Sequence, residues 1–320
     1  MPCYHPLVAW KSRDLSDTNQ KTGKTKMVFS EAIGLKSTKI ELPCGQCIGC
    51  RLDRARAWAV RCLHEASLHE NNCFLTLTYS DDQLPENGSL NKRDIVLFLK
   101  RLRKKHSDIS IRFFQCGEYG EQFKRPHHHV LLFGYDFPDK AYFKKQGDYM
   151  LYLSQELADL WPHGLHSIGN ITFDSACYCA RYILKKVTGK PAKEHYGGTI
   201  PEYVTMSRKP GIGKAWYDLY HYDLFNHDKC VVGPDFICRP PKYYDKLFDL
   251  ANPDRFKQIK TQRLQNALNN PDNNDDRRRV KEQIQNINQE KLLRTYEQPI
   301  IPLANSTAEY SAEWRAQARP

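Results

Sequence analysis

No run of apolar residues in this 320-residue chain approaches the roughly 18 needed to cross a bilayer. The longest, such as HVLLFG at 129–134, suit buried strands, so a membrane protein is not expected. The first residues, MPCYHPLVAWKSRD, lack the basic, then apolar, then small-residue order of an export signal, which predicts a chain that stays in the cytoplasm. Collagen-like periods and low-complexity composition are absent, which excludes fibrous and wholly disordered classes. A phosphate-cradling glycine loop is also missing. GIGK at 211–214 lacks the full G-x-x-x-x-G-K-[ST] spacing, so neither NTP binding nor helicase activity is expected. Acidic residues are in deficit, 37 against 48 Lys+Arg, for a net charge of +11. Eleven cysteines, an odd number without an export signal, argue for reduced thiols, some of them holding metal, over a disulfide scaffold.

What is present is enough to fold. With 40% apolar and 12% aromatic residues the chain can bury a core. A pI near 9.0 makes a polyanion the natural partner, because clustered Lys and Arg displace counterions condensed on phosphates. Residues 1–50 form an irregular, cysteine-rich segment. Ala55, Trp58, Ala59, Cys62, Leu63 and Ala66 then recur at helical spacing and predict a helix over 52–69, with Arg51, Arg54, Arg56 and Arg61 around its other sides. CFLTLTY at 73–79 reads as a strand. Asn91 with Asp94 marks a helix start, and Ile95, Phe98, Leu99 and Leu102 carry its stripe to about Lys105. Strands at 109–116 and 127–134 are joined through Gly117–Arg125 as a long hairpin. SQELADLW suggests a short helix, His166–Phe173 a strand, and Asp174 the cap of a helix through Lys186.

This order predicts an α+β fold, a central antiparallel sheet with helices packed on one face, in preference to a parallel Rossmann sheet. The expected organisation is a cysteine-rich segment at 1–50, a catalytic domain at 51–235 and a helical, partly disordered tail at 236–320. In that tail Val280, Ile284 and Ile287 make a narrow stripe and the last 25 residues look weakly ordered.

The most informative stretch is Arg125-Pro-His127-His128-His129-Val-Leu-Leu-Phe133. Side chains alternate along a strand, so His127 and His129 share one face and His128 takes the other. Two imidazoles on one face can grip one metal ion, although a bare H-x-H is more often a histidine-rich surface strand. Glu118, at the end of the preceding strand, can join them through hairpin pairing. Two His and one carboxylate leave coordination positions open, as a catalytic divalent ion requires. A second constellation lies at 174–186. At 100° per residue Tyr178, Arg181, Tyr182 and Lys185 fall on one face, while Ala176, Cys179, Ala180, Ile183 and Val187 fall nearly opposite. A phenol is a poor nucleophile near neutral pH. Flanking cations, or a metal polarising the phosphate under attack, make phenolate displacement feasible. The plainer reading is an amphipathic helix with exposed aromatics.

Together these residues resemble the HUH endonucleases, and within them the replication initiators of microviruses, above all the gokushovirus-like single-stranded DNA phages. Phe74-Leu-Thr76-Leu-Thr78-Tyr79 is similar to the family's first motif, Arg125-Pro-His127-His-His129 to its metal-binding second, and Tyr178-x-x-x-Tyr182 with Lys185 and Lys186 to its two-tyrosine third. Cys44-x-x-Cys47-x-x-Cys50-Arg51 and Ser207-Arg-Lys-Pro-Gly-Ile-Gly213 look like further elements of that branch. The likeness spans about 3–220. It implies an HUH-type sheet related to RRM and ferredoxin folds, Mg²⁺ or Mn²⁺ on His127, His129 and Glu118, and catalysis by Tyr178, Tyr182 and Lys185. It also implies DNA contacts from Thr76, Thr78, Arg125, Arg181 and Lys186. The implied reaction is nicking of single-stranded origin DNA with a 5′-phosphotyrosyl link, then rejoining after rolling-circle synthesis. Host helicase and DNA polymerase are the implied partners, and the host bacterial cytoplasm the place. Both tyrosines lie on the reactive face, so the order of attack stays open. One departure is His128, where the family usually carries a hydrophobic residue. A one-residue slip would turn it toward the metal.

Cys44, Cys47 and Cys50, with Cys3 or His5 as fourth donor, suit structural Zn²⁺. An iron–sulfur cluster or plain buried thiols are the alternatives. Two rival functions remain: a non-catalytic, zinc-containing DNA-binding regulator, and a metal-dependent hydrolase acting through bound water.

Overall fold

The computed structural model of the chain describes residues 3–20, 23–120, 123–185, 187, 191–233 and 236–296. In chain order the elements are strands β1 (Leu7–Lys11), β2 (Thr18–Asn19), β3 (Lys24–Thr25), β4 (Met27–Val28) and β5 (Ile40–Leu42), helix α1 (Ile48–Ala66), strand β6 (Asn72–Thr78) and helix α2 (Lys92–Lys105). Strands β7 (Arg112–Tyr119), β8 (Pro126–Phe133), β9 (Ala141–Gln146) and β10 (Tyr149–Leu153) follow, then α3 (Gln155–Leu160), β11 (His166–Gly169), α4 (Phe173–Lys185), α5 (Pro191–Tyr196), β12 (Tyr203–Met206) and α6 (Lys214–His227). The described chain closes with β13 (Cys230–Gly233), β14 (Phe236–Cys238), α7 (Lys242–Ala251), α8 (Pro253–Leu268) and α9 (Asp275–Tyr296). The weak order expected of the last 25 residues falls, apart from Tyr296, outside the described residues.

Two compact units emerge, Met1–Arg54 with Arg263–Lys291, and a second built on Ala55–Gln262. In the first, β1 is the middle strand of a three-stranded sheet, order β4-β1-β5. Contacts of His5 with Glu282 at 2.8 Å and of Glu41 with Arg278 at 3.5 Å join its N-terminal segment to α9. Through Lys291, α9 shares a unit with the N-terminal segment.

The second unit is organised by a seven-stranded, wholly antiparallel sheet, order β12-β7-β8-β6-β11-β10-β9. Sequence reasoning places helices on one face; the sheet carries them on both. The cause is visible in β8, whose run Val130-Leu-Leu-Phe133 sends apolar side chains to either side, as strands covered on both faces do. Val130 and Leu132, with Cys73, Leu75 and Leu77 of β6, pack against Ile95, Phe98, Leu99 and Leu102 of α2 and Leu157 and Leu160 of α3. Leu131 and Phe133 pack on the opposite face against Ala55, Ala59 and Cys62 of α1 and Ala176, Cys179 and Ala180 of α4. Small side chains on α1 and α4 let both helix backbones approach the sheet closely.

Local signals hold where the chemistry is local. Asn91 accepts a hydrogen bond from the Arg93 amide at 3.0 Å and its amide donates to Asp94, so α2 is capped as expected. Helix α4 is capped differently. Thr172 Oγ1 accepts from the Ser175 amide at 3.1 Å and Ser175 Oγ accepts from the Thr172 amide at 2.8 Å, a reciprocal cap. Asp174 sits inside the first turn and accepts from the Tyr149 hydroxyl at 3.1 Å. Strand β7 begins three residues later than the apolar pattern suggests, because its pairing with β8 runs from Arg112↔Phe133 to Tyr119↔Pro126. Glu118 is therefore inside the ladder, one position before its last pair.

Candidate active site

The β7–β8 ladder sets Glu118 opposite His127 and Cys116 opposite His129, while β6 sets Thr78 and Thr76 opposite the same two histidines from the other side. Directly opposed residues share a face, so Glu118, His127 and His129 converge. Glu118 Oε1 lies 2.6 Å from His127 Nε2 and 2.9 Å from His129 Nε2. The outer nitrogens are engaged as well. His127 Nδ1 lies 3.0 Å from the Arg125 carbonyl oxygen, which can only accept, so Nδ1 carries a proton. His129 Nδ1 meets Thr76 Oγ1 at 3.1 Å. Imidazoles fixed at Nδ1 and presented at Nε2 are in the arrangement metal ligands adopt.

Glu118 is 1% exposed. Burial alone drives its pKa up, but His127 and His129, by charge and hydrogen bonds, outweigh burial and hold the carboxyl below the usual range. Its second oxygen, Oε2, is buried with no hydrogen-bond partner among the described residues. An ionised carboxylate with one bare, dehydrated oxygen is costly unless a cation meets it. The three ligand atoms lie within 4.8 Å of one another. Two imidazoles plus one carboxylate therefore fit a divalent ion.

The slip that would have exchanged histidines does not occur. His128 is fully buried on the opposite face, with Nε2 3.2 Å from the Tyr79 hydroxyl, which itself donates to Asp94 at 2.9 Å. Burial, with the nearby His127, His129 and His163, pushes its pKa down to about 3. It is a neutral core residue that donates to Tyr79.

Helix α4 brings Tyr178 to the triad. Its half-buried ring meets His129 edge-on at 5.0 Å between centroids and 82° between planes. On the other side Phe74 stacks flat on His129 at 5.5 Å and 6°. Sequence reasoning gave Phe74 no role of its own; the signal was its place two residues from Thr76, hence on the same face. The buried side of α4 is as expected at Ala176, Cys179 and Ala180, with Cys177 buried too. The side chains of Arg181, Tyr182 and Lys185, and all of Lys186, lie outside the described residues.

Thr78 sits opposite His127, half-buried. Arg125 is engaged within the fold, with its guanidinium donating to the Tyr79 carbonyl at 2.7 and 3.1 Å and to Asp81 at 2.6 Å. It clamps the end of β6 beside the triad.

In the N-terminal unit Cys3, Cys44, Cys47 and Cys50 come together, their sulfurs within 4.8 Å of one another. His5 is directed to Glu282 instead. Cys3 and Cys47 sulfurs are 3.8 Å apart, far beyond a disulfide bond and equal to the ~3.8 Å edge of a tetrahedron with ~2.3 Å Zn–S bonds. Thiolates around a multi-iron cluster stand on different metal atoms and spread further. Backbone amides of Tyr4, Cys44, Gln46 and Cys47 donate to these sulfurs at 3.2–3.4 Å, a pattern that stabilises negative charge on sulfur. The cluster fits one tetrahedral ion.

Residues 72–187, which hold every element of the triad and helix α4, match the family described as Replication-associated protein ORF2/G2P. The chain is 34% identical over 238 residues to Replication-associated protein VP4 of Bdellovibrio phage phiMH2K, covering 72% of this chain and 74% of that protein. It is 34% identical over 227 residues to Replication-associated protein ORF2 of Spiroplasma virus 4, covering 67% and 70%. With Replication-associated protein ORF4 of Chlamydia phage 1 it shares 31% identity over 222 residues, 67% of this chain and 55% of that protein. No solved structure matches the chain.

Proposed function

The chain belongs to the replication-associated proteins of phages, and from that premise we propose that it is a rolling-circle replication initiator of the HUH type, which cuts and rejoins single-stranded origin DNA through a tyrosine. The observation that carries this reading is the Tyr178 ring against His129 in a buried triad whose carboxylate keeps one oxygen bare. A regulator that only binds DNA has no use for such a group.

Glu118, His127 and His129 would hold Mg²⁺ or Mn²⁺, which supplies Lewis-acid polarisation of the scissile phosphate. The chain's own residues do the rest. Tyr178 attacks phosphorus through its phenolic oxygen, a phosphotyrosyl bond forms to the 5′ side and the bond from phosphorus to the 3′ oxygen breaks. The proton lost by the phenol equals the one gained by the departing oxygen, so the exchange of esters is balanced. Phe74 and Thr76 keep the His129 ring in place, and the Arg125 carbonyl does so for His127. Tyr182, one turn along α4 or ~6 Å up its axis, would serve as second nucleophile, with Arg181, Lys185 and Lys186 as phosphate contacts. The free 3′-OH primes synthesis by a host polymerase. Strand separation falls to a host helicase, and the reaction takes place in the host cytoplasm. Zn²⁺ on Cys3, Cys44, Cys47 and Cys50 would brace the N-terminal unit.

The test is incubation with labelled single-stranded origin DNA and Mn²⁺ or EDTA, resolved on a denaturing gel. A metal-dependent protein–DNA adduct is expected, absent from Tyr178→Phe. Free cut product without adduct would transfer the chemistry to a bound water.

A further inference from the structure

The turn Ser207-Arg-Lys-Pro-Gly-Ile-Gly213 joins β12 to α6 and takes no part in the site above. Arg208, Lys209 and Pro210 are exposed, and among the described residues neither cation has an ion-pair partner. A merely solvated loop would be tethered at its ends. This one is held along its length. Ser207 exchanges hydrogen bonds with the Phe113 backbone, its amide donating at 2.9 Å and its hydroxyl accepting at 3.1 Å. Arg112 donates to the Pro210 carbonyl at 2.8 Å, and Arg61 to that of Ile212 at 3.0 Å. Glu65 accepts from the Gly213 amide at 2.6 Å and also pairs with Arg112. Arg61 is itself held between the Trp58 and Tyr243 rings, 4.0 and 3.9 Å from their centroids.

Both glycines in the turn are closely approached, and Gly213 is held in a left-handed conformation. A Cβ on Gly211 would lie 2.6 Å from the Tyr243 hydroxyl. One on Gly213, at φ +77°, would lie 2.4 Å from that of Tyr244. Arg61 and Glu65 are among the most buried charged groups of this unit, and burying charge is costly unless its hydrogen bonds are put to use. Here those bonds end on the backbone of an exposed basic turn. The arrangement fixes the main chain at Arg208 and Lys209 before any ligand arrives, which lowers the ordering cost of binding.

Two adjacent unpaired cations on a rigid turn match phosphodiester oxygens. The turn carries no aromatic side chain, so it offers no stacking platform of the kind single strands use; its fit is to a duplex backbone. Its distance from the triad follows from the ladder. The turn leaves the sheet beside Phe113 and Arg112, and Glu118 lies six residues from Arg112 along β7, ~20 Å at strand rise. That is the length of about six base pairs. Resting on the nicking reading, we infer that the 207–213 turn grips the phosphate backbone of duplex DNA flanking the single-stranded segment that is cut.

The experiment compares the full-length wild type with Arg208→Gln/Lys209→Gln by fluorescence anisotropy on a labelled 20-base-pair duplex and on oligo(dT)20, across a salt series, with thermal melts confirming equal folding. Loss of two phosphate contacts should lower duplex affinity about tenfold and the log–log salt slope by about 1.8, with oligo(dT)20 affinity unchanged. An unchanged duplex affinity and slope would overturn the inference, as would a loss that is equal or greater on oligo(dT)20. Adduct formation by the wild type is scored separately. No adduct with an altered duplex slope removes the nicking reading alone; an adduct with an unaltered slope removes the duplex grip alone.

Discussion

Replacing Glu118 by Gln should separate the two consequences of its burial. In the wild type, Oε1 is shared by His127 and His129, which stabilise its charge without metal, while buried Oε2 has no hydrogen-bond partner among the described residues, so a divalent ion that meets it adds further stability. At a Mn²⁺ concentration of ~100 Kd, selective binding to the folded state contributes about 2.7 kcal/mol. For a unit of roughly 200 residues, at about 2–4 °C per kcal/mol, the melting temperature should rise ~5–11 °C. Loss of an outer-shell partner weakens metal affinity ~10–100-fold, and loss of a ligand should cost no less. At ~100-fold weaker binding the same Mn²⁺ stabilises Glu118→Gln by only about 0.4 kcal/mol, a rise of ~1–2 °C. The assay is differential scanning calorimetry with and without Mn²⁺, a hard cation that leaves the thiolate cluster out of play. Metal-free Glu118→Gln should melt below metal-free wild type at neutral pH, because the histidines that hold the carboxyl's pKa down stabilise its ionised form. A Mn²⁺ shift of full wild-type size in the variant would refute the reasoning.

Thr76→Val keeps the shape of the side chain but removes the hydroxyl at His129 Nδ1; Mn²⁺ affinity by calorimetric titration should fall ~10–100-fold. Gly213→Ala must adopt a left-handed conformation and places Cβ 2.4 Å from the Tyr244 hydroxyl, so denaturant unfolding should show a loss of about 2–4 kcal/mol. His64 is buried against Trp216 and Tyr244 with its pKa pushed down to about 3, and burial likewise puts that of His166 at about 4. Both stay neutral in the folded chain while the unfolded chain takes up protons below about 6.5, so stability is complete above that pH and falls as pH drops toward 4 and 3. The loss is on the order of 2 kcal/mol per histidine at pH 5, and urea unfolding should show a shallower pH slope for His64→Gln.

How much of this was legible follows the range of each interaction. The shared face of His127 and His129 is a two-residue period, and Glu118 reaches them through a hairpin; both are local and both could be read. The small apolar side of α4 was equally plain from helical spacing. Less could be seen where the fold decides. Cover on both sheet faces depends on where α1 and α4 return, and Val130-Leu-Leu-Phe133 is the only hint of it in the sequence. The β9–β10 hairpin hides in a mixture of Lys, Tyr and Phe that has no clean alternation. Arg125 beside the histidines looks like a phosphate contact; that it also ties to Tyr79 and Asp81, more than forty residues away, could not be read. Cys3 joins cysteines over forty residues further on, where His5 was an equal candidate. The bonds that hold the 207–213 turn span 148 and 151 residues, beyond any periodicity.

Mass-spectrometric mapping of a DNA–protein adduct decides whether the triad serves a tyrosine. Wild type and Tyr178→Phe are incubated with single-stranded origin DNA and Mn²⁺ or EDTA, digested, and searched for a nucleotide-bearing peptide. Attack by the phenol held against His129 predicts an adduct on Tyr178 that requires Mn²⁺ and disappears in the variant. Cleavage that persists in Tyr178→Phe, or a wild-type adduct carried only elsewhere, would contradict it.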